Sequence, residues 1–224
     1  MSLRLILLIL TVAAGCGQER DSKMFKIIGK NNLMPVPDNF KYIPAIGEMG
    51  NKCTVSHLGD GYVLTSGHCL GGPTRGLVFD KSCTSPKFEI VWGRTDFNPK
   101  GILKSKCKRI IARQYNRRQD YGLLKIRAPY PKRKFTYKST YNTRGLVEVI
   151  SHPNGKPMRT SGRCPAYTSP ESNRILYSCD TQQGSSGAPI LDKNYQIIGV
   201  HNFELFDRNG GTLLHNTYIE KILP

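Results

Sequence analysis

The chain has 224 residues, room for one domain or two small ones, and 33 Lys and Arg against 16 Asp and Glu leave a formal charge of +17. That balance favours acidic substrates, polyanions or anionic surfaces as partners, or only solubilises the chain, and it carries no information about fold. With no basic helical stripe, no nucleic-acid motif and no aromatics interleaved with the charges, nucleic acid is not an expected partner.

The N-terminus comes first. Arg4 precedes an apolar run over residues 5–14, followed by Gly15 and Cys16. A charged start, an apolar stretch too short to span a bilayer and small residues before a cut site predict an export signal over residues 1–15. The ending AAGC resembles a bacterial lipobox, which implies that Cys16 becomes a lipidated first residue; an ordinary signal peptide is the alternative. Setting Cys16 aside leaves six of the seven cysteines, an even number suited to an oxidising, exported setting. Residues 16–26 are polar and read as a tether or propeptide.

Strand-like runs follow at 61–66, 88–94, 109–115 and 122–127, then a basic, proline-containing connection over 129–138, then runs at 146–151, 174–179, 188–192 and 196–203. The one good helix candidate is 216–223. Twenty-two Gly and 14 Pro between short Val/Ile/Leu runs fit a pair of small antiparallel barrels, and a single sandwich would read much the same.

Three stretches carry chemistry. In VLTSGHCL (63–70), His68 follows a strand-like run in a turn containing Gly67; alone it is as well explained as a polar residue at a strand end. In RRQDYGLLKI (117–126), Asp120 stands at the mouth of an apolar strand, placed either to cap it or to accept the Nδ1 proton of a histidine. In CDTQQGSSGAPIL (179–191), Ser186 lies in a Gly-flanked turn where the N–H groups of Gly184 and Ser186 can converge as an oxyanion hole. Ala188 and Pro189 exclude a G-x-S-x-G elbow leading into a helix.

Taken together, the three residues run His, Asp, Ser with gaps of 52 and 66 residues. Here the chain resembles the chymotrypsin-fold serine endopeptidases, whose motifs are a small residue then HC, D-x-x-L-L and G-x-S-G-x-P. The resemblance covers about residues 27–223. It implies an all-β fold of two six-stranded antiparallel Greek-key β-barrels with a short C-terminal helix. One barrel, over 27–135, carries His68 as general base and Asp120 as its orienting partner. The other, over 136–224, carries Ser186 as nucleophile and the specificity pocket.

Asp180 lies six residues before Ser186, where trypsin-like enzymes hold the aspartate that selects Lys or Arg. Against that branch, Ser185 replaces the aspartate preceding the nucleophile and Gln182 replaces a pocket cysteine. The chain is more similar to the bacterial glutamyl endopeptidases, which implies that Thr181 and His201 bind an acidic substrate side chain. An imidazole and a hydroxyl can hydrogen-bond a carboxylate, and partial protonation of His201 would add charge assistance. The segments SHPNGKP (151–157) and LLHNTYIEKIL (213–223) add to this resemblance. Asn202, Phe203 and Glu204 depart from it, with Phe203 expected to narrow the pocket and an inward Glu204 to repel an acid. FKIIGK resembles the family's activation site, which implies cleavage after Lys26 and a mature start at Ile27.

The resemblance also implies a Cys53–Cys69 disulfide. Elimination and proximity then leave Cys83–Cys107 and Cys164–Cys179 among the fifteen pairings open to six cysteines. No zinc spacing and no cofactor motif occur, and His57, His152 and His215 read as ordinary polar residues. The expectation is an exported or lipid-anchored monomeric serine endopeptidase acting on proteins or peptides after Glu or Asp. The alternatives are cleavage after Lys or Arg through Asp180, and a catalytically silent protease-fold binding module.

Overall fold

The structure, a computed structural model, describes residues 27–50, 52–71, 76–83, 85–139, 144–168 and 172–223. The expected export signal, the tether, Cys16 and the cut after Lys26 lie outside the described residues.

Fifteen strands run in chain order: β1 Met34–Pro35, β2 Ile46–Met49, β3 Cys53–Gly59, β4 Tyr62–Thr65, β5 Gly76–Ser82, β6 Ile90–Trp92, β7 Leu103–Ser105, β8 Cys107–Tyr115, β9 Asp120–Ile126, β10 Arg144–Ser151, β11 Arg159–Thr168, β12 Arg174–Tyr177, β13 Pro189–Leu191, β14 Ile197–Leu205 and β15 Arg208–Leu213. Near the end of the described residues lies a short helix, α1, Tyr218–Ile222. Every sheet pairing between these strands is antiparallel.

The C-terminal sheet is ordered β11-β10-β13-β14-β15-β12 and closes through a β11–β12 pairing, giving a six-stranded barrel with β1 added to its outside. The N-terminal sheet has eight strands in the order β5-β8-β9-β4-β3-β2-β6-β7. The two-barrel, all-β architecture read from the sequence is therefore present. In the N-terminal half it takes the form of a curled sheet whose outer strands β5 and β7 do not pair with each other. A barrel removes its edges by closing, and β5 instead leaves an exposed outer edge with Leu77 and Phe79 at the surface.

Three cores follow from the alternation of side chains. In β9, Leu124 and Ile126 join Val55, Val63, Ile90 and Trp92 inside the N-terminal sheet, while Tyr121 and Leu123 enter a core between the barrels with Leu64, Ile150, Met158 and Val200. The run reads as continuously apolar because both its faces are buried. Ile175, Tyr177, Ala188, Ile190 and Ile198 fill the closed barrel.

The basic connection joins the halves through Phe135, with Tyr137 packed against the same core. Phe135 is buried and stacks on Tyr42 at 4.4 Å, and its N–H donates to His57 O, while Lys138 N–H donates to Ile197 O in the other barrel.

The helix is shorter than the 216–223 read from the sequence, because Asn216 has a left-handed φ of +54° and Thr217 is extended. The disulfides Cys53–Cys69, Cys83–Cys107 and Cys164–Cys179 are all formed. Three such bonds mark a protein that folds in an oxidising, extracellular or exported setting.

Candidate active site

His68 opens a single 3-10 turn, His68–Leu70, directly after β4. Gly67 sets the close approach, because a Cβ there would collide with the carbonyls of Gln114 and Tyr121. The buried Arg113 donates through Nε to Gly67 O at 2.8 Å and holds the turn from behind. Cys69 is tied to Cys53 at the start of β3. The ligand atoms of Cys53, His68 and Cys69 lie within 4.8 Å of one another, but the two sulfurs are bonded to each other and form no metal ligand set.

Asp120 is the first residue of β9, and its carboxylate bonds His68 twice. Oδ1 accepts the His68 backbone N–H at 2.9 Å and Oδ2 meets Nδ1 at 2.6 Å. That contact keeps the ring proton on Nδ1 and leaves Nε2 as an acceptor, 2.8 Å from Ser186 Oγ. Hydroxyl, imidazole and carboxylate thus form one hydrogen-bonded chain, in which proton transfer from Ser186 to His68 produces an imidazolium already facing a carboxylate.

Asp120 is gripped from the opposite barrel by residues the sequence reading gave no such role. Its N–H donates to Thr212 Oγ1 at 3.0 Å, and Asn202 Nδ2 donates to Asp120 O at 2.6 Å and to Thr212 Oγ1 at 2.8 Å. Ser66 Oγ donates to His201 O at 2.8 Å, a second tie across the cleft. A polar side chain's long-range partner leaves no local pattern in a sequence, so these contacts had no signal to read.

Three carbonyls of the nucleophile loop are held from outside it. Gln183 O accepts Asn154 N–H, Gly184 O accepts Thr54 Oγ1 at 2.9 Å, and Ser186 O accepts Thr54 N–H at 2.8 Å. In a trans peptide the C=O and N–H point opposite ways. With Gln183 O turned back toward the 152–155 segment, the Gly184 N–H faces the other side of the loop. Gly184 has φ +92°, a conformation that side chains resist, and a Cβ there would strike His152 O. Among the described residues, the N–H groups of Gly184 and Ser186 have no acceptor. Ser185 is buried and bonds Ser151 Oγ at 2.9 Å.

Behind this loop His152 is buried, its Nδ1 3.0 Å from Lys156 O, and burial lowers its pKa to about 4. Arg94 forms an ion pair with the buried Glu48 and donates to Gly155 O at 3.3 Å. His57 is also buried, with Nδ1 2.7 Å from Arg133 O. Two of the three histidines read as ordinary polar residues are therefore internal struts, and His215 alone is exposed.

Around the expected pocket, Thr181 is fully buried and its Oγ1 has no hydrogen-bond partner among the described residues. His201 is fully buried on β14, its Nδ1 2.5 Å from the Tyr177 hydroxyl. Burial lowers the His201 pKa to about 3, with His68 adding to the effect. The ring is therefore neutral at ordinary pH, which corrects the expectation of partial protonation.

Asp180 takes a backbone-supporting place and not the substrate-binding one: its Oδ1 accepts Ile28 N–H and its Oδ2 accepts Asn32 N–H, each at 2.7 Å, so both carboxylate oxygens are engaged by the chain's own N-terminal segment. The Phe203 ring lies under the Arg174 guanidinium at 4.8 Å and lines a cavity beside His68, while Thr181, His201 and Glu204 are not among the residues lining it.

A serine hydroxyl, an imidazole and a carboxylate in line, set at the junction of two antiparallel barrels, define a serine protease. The chain belongs to the trypsin-like peptidase family, whose domain matches residues 53–200. Its fold is similar to that of a Glu endopeptidase, at 21% identity and a TM-score of 0.63 over 87% of this chain and 96% of the other. It is also similar to the VesB protease of Vibrio cholerae, at 17% identity and a TM-score of 0.59 over 84% of this chain and 64% of that one. A human pathogenic astrovirus serine protease matches at 16% identity and a TM-score of 0.52, over 84% of this chain and 96% of the other.

Proposed function

We propose that the protein is an exported serine endopeptidase that cuts peptide bonds after Glu or Asp. The observation that carries the reaction is the chain of contacts from Ser186 Oγ through His68 to Asp120. In this reading Ser186 Oγ attacks the substrate carbonyl carbon as His68 Nε2 takes its proton. The developing oxyanion is met by the N–H groups of Gly184 and Ser186. His68 then passes the proton to the leaving amine, and a water repeats the sequence to release the acyl group. Asp120 holds the imidazole in its tautomer and stabilises the imidazolium.

Two observations favour acidic over basic substrates. The carboxylate of Asp180 is occupied by backbone N–H groups, and the buried Thr181 hydroxyl is available to donate to a substrate carboxylate. His201 joins it as a neutral imidazole, so recognition rests on hydrogen bonds, with charge supplied by the strongly basic protein around it. The Glu endopeptidase among the similar folds is consistent with this reading.

We further propose that residues 1–15 direct export, that Cys16 is lipidated, and that cleavage after Lys26 releases a monomeric domain starting at Ile27. Matched chromogenic peptides with Glu or Arg at the cleaved position test the specificity, with Ser186→Ala as the control. Cleavage of the Glu peptide that vanishes in the variant is expected; turnover of the Arg peptide alone overturns the acidic assignment. N-terminal sequencing of medium and membrane fractions tests the processing, and a single species beginning at Cys16 in both overturns release.

A further inference from the structure

We propose that the cavity on the Phe203 side of His68 is a second acid-selective subsite, which binds acidic side chains in the substrate residues preceding the cleaved bond. This rests on the reading of Ser186 as nucleophile and extends it. The cavity holds about 280 Å3 and is walled by His68 itself, the 115–119 turn, Arg174 and Phe203. A substrate aligned for attack by Ser186 therefore passes beside it.

The path of that substrate follows from the sheet. β13 pairs with β14 as far as Pro189 opposite Val200, and His201 still exchanges hydrogen bonds with Gly187 and Ala188. From Asn202 onward this edge of β14 has no partner strand among the described residues. An extended peptide whose side chain enters beside Thr181 and His201 can add to that edge as a further strand. Its side chains then alternate, with every second one about 7 Å further along and on the same face. A residue two to four positions before the cleaved bond is brought to the Phe203 end, over the cavity.

The charge of the cavity is one-sided. Arg117, Arg118 and Arg174 line it, and none of the three is in an ion pair among the described residues. Arg174 is fixed against the Phe203 ring, which orients its guanidinium without neutralising it. The one acid in the lining, Asp120, has both oxygens bonded to His68. Three cations without counter-ions among the described residues, beside the reacting groups, match a peptide that carries carboxylates before its cleavage point, and they disfavour lysine or arginine there.

The test begins by finding which residue at the cleaved position gives the fastest turnover, then holds it fixed. The second to fourth residues before the bond are varied among Glu, Ala and Lys. Each exposed Arg–carboxylate pair is worth roughly two- to five-fold in affinity. The Glu-containing peptide is therefore expected to exceed its Lys counterpart about ten-fold in kcat/KM, chiefly through KM, with the ratio shrinking as salt rises. In Arg117→Glu/Arg118→Glu the ratio inverts, and in Arg174→Gln it falls while Arg174→Lys recovers part of it. A folding defect lowers all peptides together and leaves the ratio alone. Equal rates for the Glu and Lys peptides in the wild type, or a preference untouched by these variants, overturn the subsite. A best cleaved residue of Arg overturns the acidic reading of the Thr181 pocket and leaves the subsite test intact.

Discussion

The Thr54 hydroxyl donates to the Gly184 carbonyl at 2.9 Å, fastening the turn that presents the nucleophile to the opposite barrel. The same oxygen accepts His152 N–H at 3.0 Å, and the Thr54 N–H donates to Ser186 O. Because Thr54 follows Cys53, whose disulfide partner adjoins His68, one buried residue links base and nucleophile.

Removing that hydroxyl with little change in shape, in Thr54→Val, leaves two buried backbone groups without a partner, at about 1–3 kcal/mol for each unsatisfied group. A fall in kcat of about ten-fold or more with little change in KM is expected, and Thr54→Ser should retain most of the rate. Steady-state kinetics of the two variants beside a thermal melt check this; equal losses in kcat and KM would show that the contact is only structural.

Substitutions in the hydrogen-bonded chain should act as a unit. Ser186→Ala, His68→Ala and the double variant are each expected to lose about four or more orders of magnitude in kcat, with the double no worse than the singles. Asp120→Asn should fall by a similar factor with the fold retained, because the amide no longer selects the Nδ1–H tautomer. Multiplicative losses in the double variant would count against a shared mechanism.

Acid should destabilise the fold through its buried imidazoles. His152 and His201 have pKa values lowered to about 4 and about 3 in the folded protein, from an ordinary 6.5. Between those values the unfolded chain binds more protons than the folded one, so stability rises with pH across this window. The contribution is complete above pH 6.5 and is lost progressively as pH falls toward 4, on the order of 3 kcal/mol per group. Urea titrations from pH 8 to 4 should show this slope, and His152→Gln should flatten it.

Asp180→Ala separates the two roles a carboxylate at this position can have. With both oxygens on the Ile28 and Asn32 N–H groups, its loss should free the N-terminal segment and leave the choice between Glu and Arg peptides where it was. Hydrogen exchange at Ile28 and Asn32 should accelerate, and the melting temperature should drop by several degrees. A switch in peptide preference without faster exchange would return Asp180 to the substrate pocket.

The reacting residues could be read from the sequence because His68, Asp120 and Ser186 each sit where a strand meets a turn, in short motifs whose order is informative. β4, β9 and β14 were visible as apolar runs. β15 was not, since Arg208–Leu213 contains Gly210 and Gly211, which carry no side chain and lie close against Phe203 and Val200. β11 was hidden by polar residues on its open face and by Gly162. The roles of Asp180, Asn202 and Thr212 were out of reach for another reason. Each is decided by a partner between 10 and 152 residues away, and local composition does not encode which buried group will face which.

The division of labour between the sheets sets an order on the protein's own synthesis. A nascent chain holds its base and carboxylate long before its nucleophile, and the two are in register only once β13, β14 and β15 have closed the second barrel over the first. Until then the polypeptide holds its reactive atoms out of register, with no hydrogen-bonded path from Ser186 through His68 to Asp120. The seam between the two sheets therefore decides when the site exists, because neither half alone carries the path from Ser186 to Asp120.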